Sequence, residues 1–341
     1  MKKALIVTIV ILSCIQINAQ SLTGLVYDKD TKQPISGVYV YLNGTSIMDV
    51  TENSGKFSLP VKQMINTNLV FSHLAYHTLI IENPFMNLPD TIYMEERSIT
   101  LSEVIVRPQF TRQQRLRAFR EQFLGMTRAG RSCKILNEDD IQTWFHVPTQ
   151  TLFASSDKPI EVINEYLGYK VLFELVDFKV EYSNISLARD KIQQSYFAVA
   201  TLFVDLKPDD RRTKRRRDGV YERSSALFFR NFSNNTLNES GFKIYKNSLP
   251  IDYHNYFTIE DTLSLKIIRL IPERANISSH PSVPMSTFSV LFNRRQTDIS
   301  LYADSLLVDQ YGNIDQIDKV VFRGAMGQNR AGDMLPIEYE P

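Results

Sequence analysis

The densest cluster of ligand-holding side chains in this sequence is basic. Between Lys207 and Asp218 the chain reads KPDDRRTKRRRD, with Asp209 and Asp210 followed by Arg211, Arg212, Lys214, Arg215, Arg216 and Arg217. Acids ahead of bases match the dipole of a helix. That helix is predicted to continue through VYERSSALFFRNFSNNTL, with Tyr221, Ala226, Leu227, Phe229 and Phe232 available to pack. Converging guanidinium groups hold phosphates and carboxylates, so the run is a candidate anion-binding patch for lipopolysaccharide phosphate, acidic glycan or nucleic acid. The competing reading is a solvated helix face. No aromatic residue interleaves the basic ones to stack on bases, so nucleic acid is not an expected partner.

Other reactive residues are sparse. Cys133 has Arg128, Arg131 and Lys134 near it in sequence, which would favour thiolate if they converged. Ile135 and Leu136 follow it directly, and a buried packing role is the expectation. His73 and His77 would share one side of an extended strand, one ligand short of a catalytic zinc set. The triplet Glu138-Asp139-Asp140 suits a cap or turn, and no second carboxylate at a defined spacing makes a glycosidase pair. No Gly-x-Ser-x-Gly elbow and no Gly-rich phosphate loop occurs. Catalytic residues are therefore unassigned, and neither a cofactor nor a metal is expected. The 20 Phe and 16 Tyr residues are expected mostly in the core.

The chain opens with Lys2 and Lys3, an apolar run Ala4–Leu12 broken by Thr8, and Ile17-Asn18-Ala19 before Gln20. This is the pattern of a secretory signal peptide over residues 1–19, and its apolar run falls well short of the ~20 residues of a spanning helix. The expectation is an exported protein, periplasmic or associated with the outer membrane and not transmembrane once the leader is removed. Lipid attachment at Cys14 is the alternative, disfavoured by the position of Leu12. Loss of Lys2 and Lys3 takes the formal charge from +1 to −1, so no global charge bias selects a partner. If Cys14 leaves with the leader, Cys133 is the one mature thiol and no internal disulfide forms.

The elements that must position these residues fall in two regions. In the first, short strands are predicted at Leu22–Tyr27, Val38–Leu42, Ile47–Thr51, Lys56–Leu59, Asn68–Ser72, Thr78–Ile81 and Thr91–Met94. Val38, Val40 and Leu42 should share one face, with Tyr39 and Tyr41 on the other. Glu52-Asn53-Ser54-Gly55 is a turn in which Gly55 supplies a positive φ. Gly24, Val26 and Asp28, then Pro34, Gly37 and Val38, then Gly44-Thr45, Asn53, Gly55 and Phe57, and lastly Ser72 and Tyr76, run in an order that resembles the carboxypeptidase regulatory-like domain. Asn53 replaces the usual acid, and Ala75 stands where glycine is usual. The resemblance covers residues 20–106 and implies a seven-stranded, transthyretin-like β-sandwich. It implies no chemistry: no His is followed at the third position by Glu, so the chain is not a zinc carboxypeptidase. The tail Leu101–Val106, LSEVIV, resembles the stretch that hands this module to transporter plugs in outer-membrane receptors.

Residues 107–128 read as a linker and an amphipathic helix, Thr111–Arg128, capped by Thr111 and packed through Leu116, Phe119, Phe123 and Met126. Residues 129–341 read as an α+β domain. A hairpin turns at Pro148-Thr149, Tyr166-Leu167-Gly168-Tyr169 separates Ile160–Asn164 from a long strand Lys170–Tyr182, and Ser195–Leu206 follows, making an antiparallel sheet. Stretches such as NEYLGYKVLFELVDF and MGQNRAGDMLPIEYEP resemble envelope proteins of Bacteroidetes that carry the same N-terminal module. Those relatives bring no activity with them, and their usual Y-x-G-S is Tyr221-Glu222-Arg223-Ser224 here. Asp90-Thr91-Ile92, Asp261-Thr262-Leu263 and Asp304-Ser305-Leu306 resemble Bacteroidetes O-glycosylation acceptors, with Thr91, Thr262 and Ser305 as the modified hydroxyls.

The expected fold is β-rich α+β: a sandwich followed by a mixed antiparallel-sheet domain with a few helices. The expected function is a non-enzymatic envelope accessory that binds an envelope protein or a glycan. The alternative is an envelope glycan or ester hydrolase with an unrecognised site in the C-terminal domain.

Overall fold

The computed structural model describes residues 20–62, 65–97, 109–262, 265–275 and 283–341. The leader, Cys14 and the LSEVIV tail lie outside the described residues. The described residues divide into two compact units, one within residues 1–41 and 47–97 and the other within residues 42–46 and 98–341.

The first unit is a β-sandwich. Strands β1 (Gln20–Asp28), β4 (Lys56–Val61) and β7 (Thr91–Met94) form one sheet in the order β4-β1-β7. Strands β2 (Tyr39–Leu42), β3 (Met48–Val50), β5 (Leu69–Ser72) and β6 (Leu79–Ile81) form the other, in the order β3-β2-β5-β6. The period-two pattern is clean in β4, where Phe57, Leu59 and Val61 are buried and the residues between them exposed. In β2, Tyr41 is buried along with Val40 and Leu42, while Tyr39 is 42% exposed. Gly55 has φ +76°, and a Cβ there would sit 2.4 Å from the Val26 carbonyl oxygen; only glycine meets both demands. Asp28 and Tyr76 have a shared purpose. The Asp28 carboxylate accepts the backbone N–H groups of Asp30 and Thr31 and the Tyr76 hydroxyl at 2.9, 2.7 and 3.0 Å. Burial and this bond push the Tyr76 phenol up to about 12.

In the second unit, β8 (Cys133–Ile135), β9 (Ile141–His146), β10 (Thr151–Ser156), β11 (Ile160–Asn164), β12 (Tyr169–Tyr182) and β13 (Ile192–Asp205) form an antiparallel sheet. The long β12 and β13 pair along their length, with a bulge between Leu175 and Asp177. Helix α1 (Arg112–Phe123) covers one face of this sheet. Its start is a reciprocal cap: Gln114 N–H donates to Thr111 Oγ1 and Thr111 N–H to Gln114 Oε1, satisfying two orphan donors. Phe119 meets Phe178 at 4.8 Å between centroids, and Phe123 meets Phe173 at 5.2 Å. Helix α1 is shorter than predicted; Leu124 caps it, and a separate single turn forms at Arg128–Arg131.

The predicted long basic helix is two helices, α2 (Arg211–Tyr221) and α3 (Ser225–Ser233). The chain leaves helical geometry at Ser224, whose extended backbone and Oγ, accepting from Leu227 N–H, cap α3. Phe228, Phe229 and Phe232 of α3 anchor a second core. Around it lie β14 (Lys243–Lys246), β15 (Leu249–Pro250), β18 (Ser286–Phe292), β19 (Arg295–Leu301) and β21 (Val320–Gly324) in one sheet. A smaller sheet contains β16 (Phe257–Asp261), β17 (Lys266–Leu270) and β20 (Ser305–Val308). Among the described residues no helix is long and apolar enough to cross a membrane.

Because a side chain at Gly55 must both adopt a positive φ and displace the Val26 carbonyl, Gly55→Ala is expected to destabilise the first unit by about 2–3 kcal/mol. Chemical denaturation followed by intrinsic fluorescence measures this.

Candidate anion-binding site

The basic helix begins where Asp210 accepts the N–H groups of Arg212 and Thr213 at 2.7 and 3.1 Å. Those two donors hold its carboxyl below the usual range. From there the 3.6-residue period sorts the side chains. Thr213, Arg217, Val220 and Tyr221 are buried, whereas Arg211, Arg212, Lys214 and Arg215 are exposed and Arg216 lies between.

Arg217 therefore leaves the surface patch in which the sequence placed it. Its two terminal nitrogens each reach an Asp205 carboxylate oxygen at 2.7 Å. Its Nε donates to the Leu167 carbonyl at 2.8 Å, and its guanidinium lies 3.8 Å from the Tyr169 ring centroid. Burial alone would raise the Asp205 carboxyl, but the Arg217 hydrogen bonds, the Lys207 N–H and the Arg217 charge outweigh it and hold the group below its ordinary value. The turn that supplies the Leu167 carbonyl needs Gly168 at φ +69°, where a Cβ would press within 2.9 Å of Thr213 Cγ2.

Lys214 is partly neutralised on the other flank. Its ammonium is 3.8 Å from Asp218 Oδ1, which also accepts the Tyr339 hydroxyl at 2.5 Å. Arg211, Arg212, Arg215 and Arg216 form no ion pair among the described residues. Arg216 donates to the Tyr166 carbonyl at 3.2 Å, and its guanidinium lies 4.8 Å from the Tyr166 ring centroid. Arg128, from the turn after α1, stands over the same ring at 5.1 Å. No aromatic lies within the basic run, but a tyrosine distant in the chain is brought among the arginines. Like charges brought together repel one another, and a bound anion relieves that repulsion.

Beyond the last of these arginines, helix α2 borders a cleft of about 190 Å³. Gly219, Glu222, Arg223, Phe292, Arg295 and Met326 line it. Asn293 and Arg294, at φ 46° and 62°, make the tight turn that returns Arg295 opposite Phe292. Nothing in the sequence pairs Gly219 with Arg295; the two line one cleft only because the tertiary fold brings the end of α2 to the β18–β19 hairpin.

The remaining candidates have structural surroundings. Cys133 packs against the core and donates to the Ala129 carbonyl at 3.4 Å; burial, aided by Asp333, pushes its thiol up to about 12. His73 and His77 do not share a strand, a correction to the sequence expectation. A turn separates them, in which His73 Nδ1 accepts the Ala75 N–H at 3.2 Å. Among the described residues no three His, Cys, Asp or Glu side chains are placed to hold a metal. Glu138–Asp140 form a 3-10 turn whose carboxylates face Arg120, Arg112 and Lys158 respectively. Thr262 is exposed in the β16–β17 turn with its hydroxyl on the Leu265 carbonyl. Thr91 and Ser305 are half-buried at strand starts, Ser305 donating to Asp304.

Residues 22–106 match the family model of the CarboxypepD_reg-like domain. No curated protein matches the chain.

Two outcomes follow from this chemistry. Arg217→Ala, which strips a partly buried carboxylate of its partner, is expected to cost about 3 kcal/mol at pH 7. The Asp205 contribution is complete above the ordinary carboxylate range and is lost as pH falls through the depressed folded value. The gap between wild type and variant in urea titrations should therefore narrow below about pH 4. With its thiol protonated and packed, native Cys133 is expected to react with iodoacetamide at pH 8 on the order of 10³-fold more slowly than in the unfolded chain.

Proposed function

We propose, with a CarboxypepD_reg-like domain at residues 22–106 as the premise, that this chain is a non-enzymatic accessory of the cell envelope. In this reading the N-terminal sandwich is a docking or spacer module, and the second unit binds an anionic envelope component through the exposed face of α2. The leader pattern of residues 1–19 motivates the exported location. The observation that carries the reading is the set of guanidinium groups at Arg211, Arg212, Arg215, Arg216 and Arg128 that have no acidic partner among the described residues. Ordinary surface charges are interspersed by sign, and a one-sign face concentrates anions.

The carboxyl groups that burial pushes upward, Asp309 and Asp333, do not favour a hydrolase. Asp309 accepts the backbone N–H groups of Tyr311 and Asn313 within its own loop. Asp333 accepts the Thr127 hydroxyl at 2.8 Å. Neither lines the cleft at Gly219.

The protein is expected to be retained on a sulfated resin at low ionic strength and to elute with salt. The double charge reversal Arg211→Glu/Arg215→Glu should lower the slope of log K against log salt by about two. Equal elution of wild type and double variant would remove the basis of the reading.

A further inference from the structure

The exposed face of α2 continues into the cleft at its C-terminal end, and the two make one track. Arg211 and Arg212 occupy the first turn of the helix, and Arg215 and Arg216 the second. Gly219 stands one turn further on, followed by Arg223. Residues four apart share a helix face and rise about 6 Å along it. Gly219 is thus the one position of this row without a side chain, and a Cβ built there meets nothing within 4 Å. Neither a positive φ nor a close approach of backbone accounts for glycine here, although glycine weakens a helix interior. The gap is also the point where the helix borders the cleft, with Arg223 and Arg295 beyond it.

We propose, resting on the anion-binding reading above, that the ligand is a linear acidic polysaccharide, which lies along α2, crosses at Gly219 and places one sugar unit in the cleft. The repeating guanidinium row fits a polymer carrying charge at regular intervals rather than an isolated anion. The cleft selects further. Glu222 lines it beside Arg223 and Arg295; a carboxylate repels bare phosphate but accepts hydrogen bonds from hydroxyl groups. Acidic sugars offer both anionic groups and hydroxyls, and the apolar wall of Phe292 and Met326 suits the C–H face of a sugar ring. Nucleic acid is disfavoured because base stacking needs free aromatic faces. The Tyr166 ring already carries Arg128 and Arg216.

The test is calorimetric titration of the purified protein with hexagalacturonate, monogalacturonate, inorganic polyphosphate and oligo-dT at one salt concentration. Gly219→Gln fills the track with a better helix former and has open space for its side chain, so its thermal stability should not fall below that of wild type. The hexamer is expected to bind at least about tenfold more tightly than the monomer, and Gly219→Gln to remove about tenfold of the hexamer affinity. Suppose Arg211→Glu/Arg215→Glu abolishes binding, yet Gly219→Gln leaves the hexamer unaffected, or polyphosphate or oligo-dT binds as tightly. The polysaccharide track is then overturned and the anion-binding reading survives. If charge reversal alters the binding of no anion, both fall.

Discussion

Arg217 carries its charge into the interior of the second unit, and the position of the basic helix follows from how that charge is satisfied. Its donors are distributed over the Asp205 carboxylate at the end of β13 and the carbonyls of Leu167 and Gly168 in the β11–β12 turn. A buried guanidinium left without these partners would be strongly destabilising, so helix, strand end and turn are held in one arrangement. Gly168 permits that arrangement by letting Thr213 approach the turn closely. Once Arg217 points inward, the helical period turns Arg211, Arg212, Arg215 and Arg216 outward together. The exposed basic face is thus a geometric consequence of the buried arginine.

The same constraint brings Tyr166 into the site. It lies in the turn that Arg217 grips, and Arg216, one residue earlier on the helix, reaches both its carbonyl and its ring. Arg128 arrives from the opposite side of the sequence, after α1 has seated Phe119 and Phe123 on the long sheet. A stacked, hydrogen-bonded arginine loses side-chain freedom before any ligand arrives, which lowers the entropic cost of binding. The second core, built on Phe228, Phe229 and Phe232, does comparable positioning for the cleft. It sets α3 against the β18–β19 sheet, and the break at Ser224 leaves Glu222 and Arg223 at the corner between the two helices.

The sandwich was legible because its signals are local. Period-two patterning placed its strands to within a few residues, and Gly55 announced its own positive φ through the turn residues beside it. Asp28 and Tyr76 were recognisable as motif residues, although their mutual hydrogen bond spans residues far apart in sequence. Where reading failed, a local rule met a non-local competitor. The continuous basic helix was interrupted because Ser224 caps a new helix that the second core requires. His73 and His77 were separated by a turn that a run of extended residues does not reveal.

By itself the sequence determined a secretion-type leader pattern, a β-sandwich module, an antiparallel sheet later in the chain and a run of basic residues. These rest on short-range periodicity, capping and composition, which act between neighbours in the chain. Tertiary structure alone decided which arginines face solvent, that Arg217 is a buried strut, that Tyr166 and Arg128 join the basic face, and that Gly219 opens onto a cleft shared with Arg295. Each of these depends on packing between segments tens of residues apart, where burial and charge satisfaction, and no local preference, select the outcome.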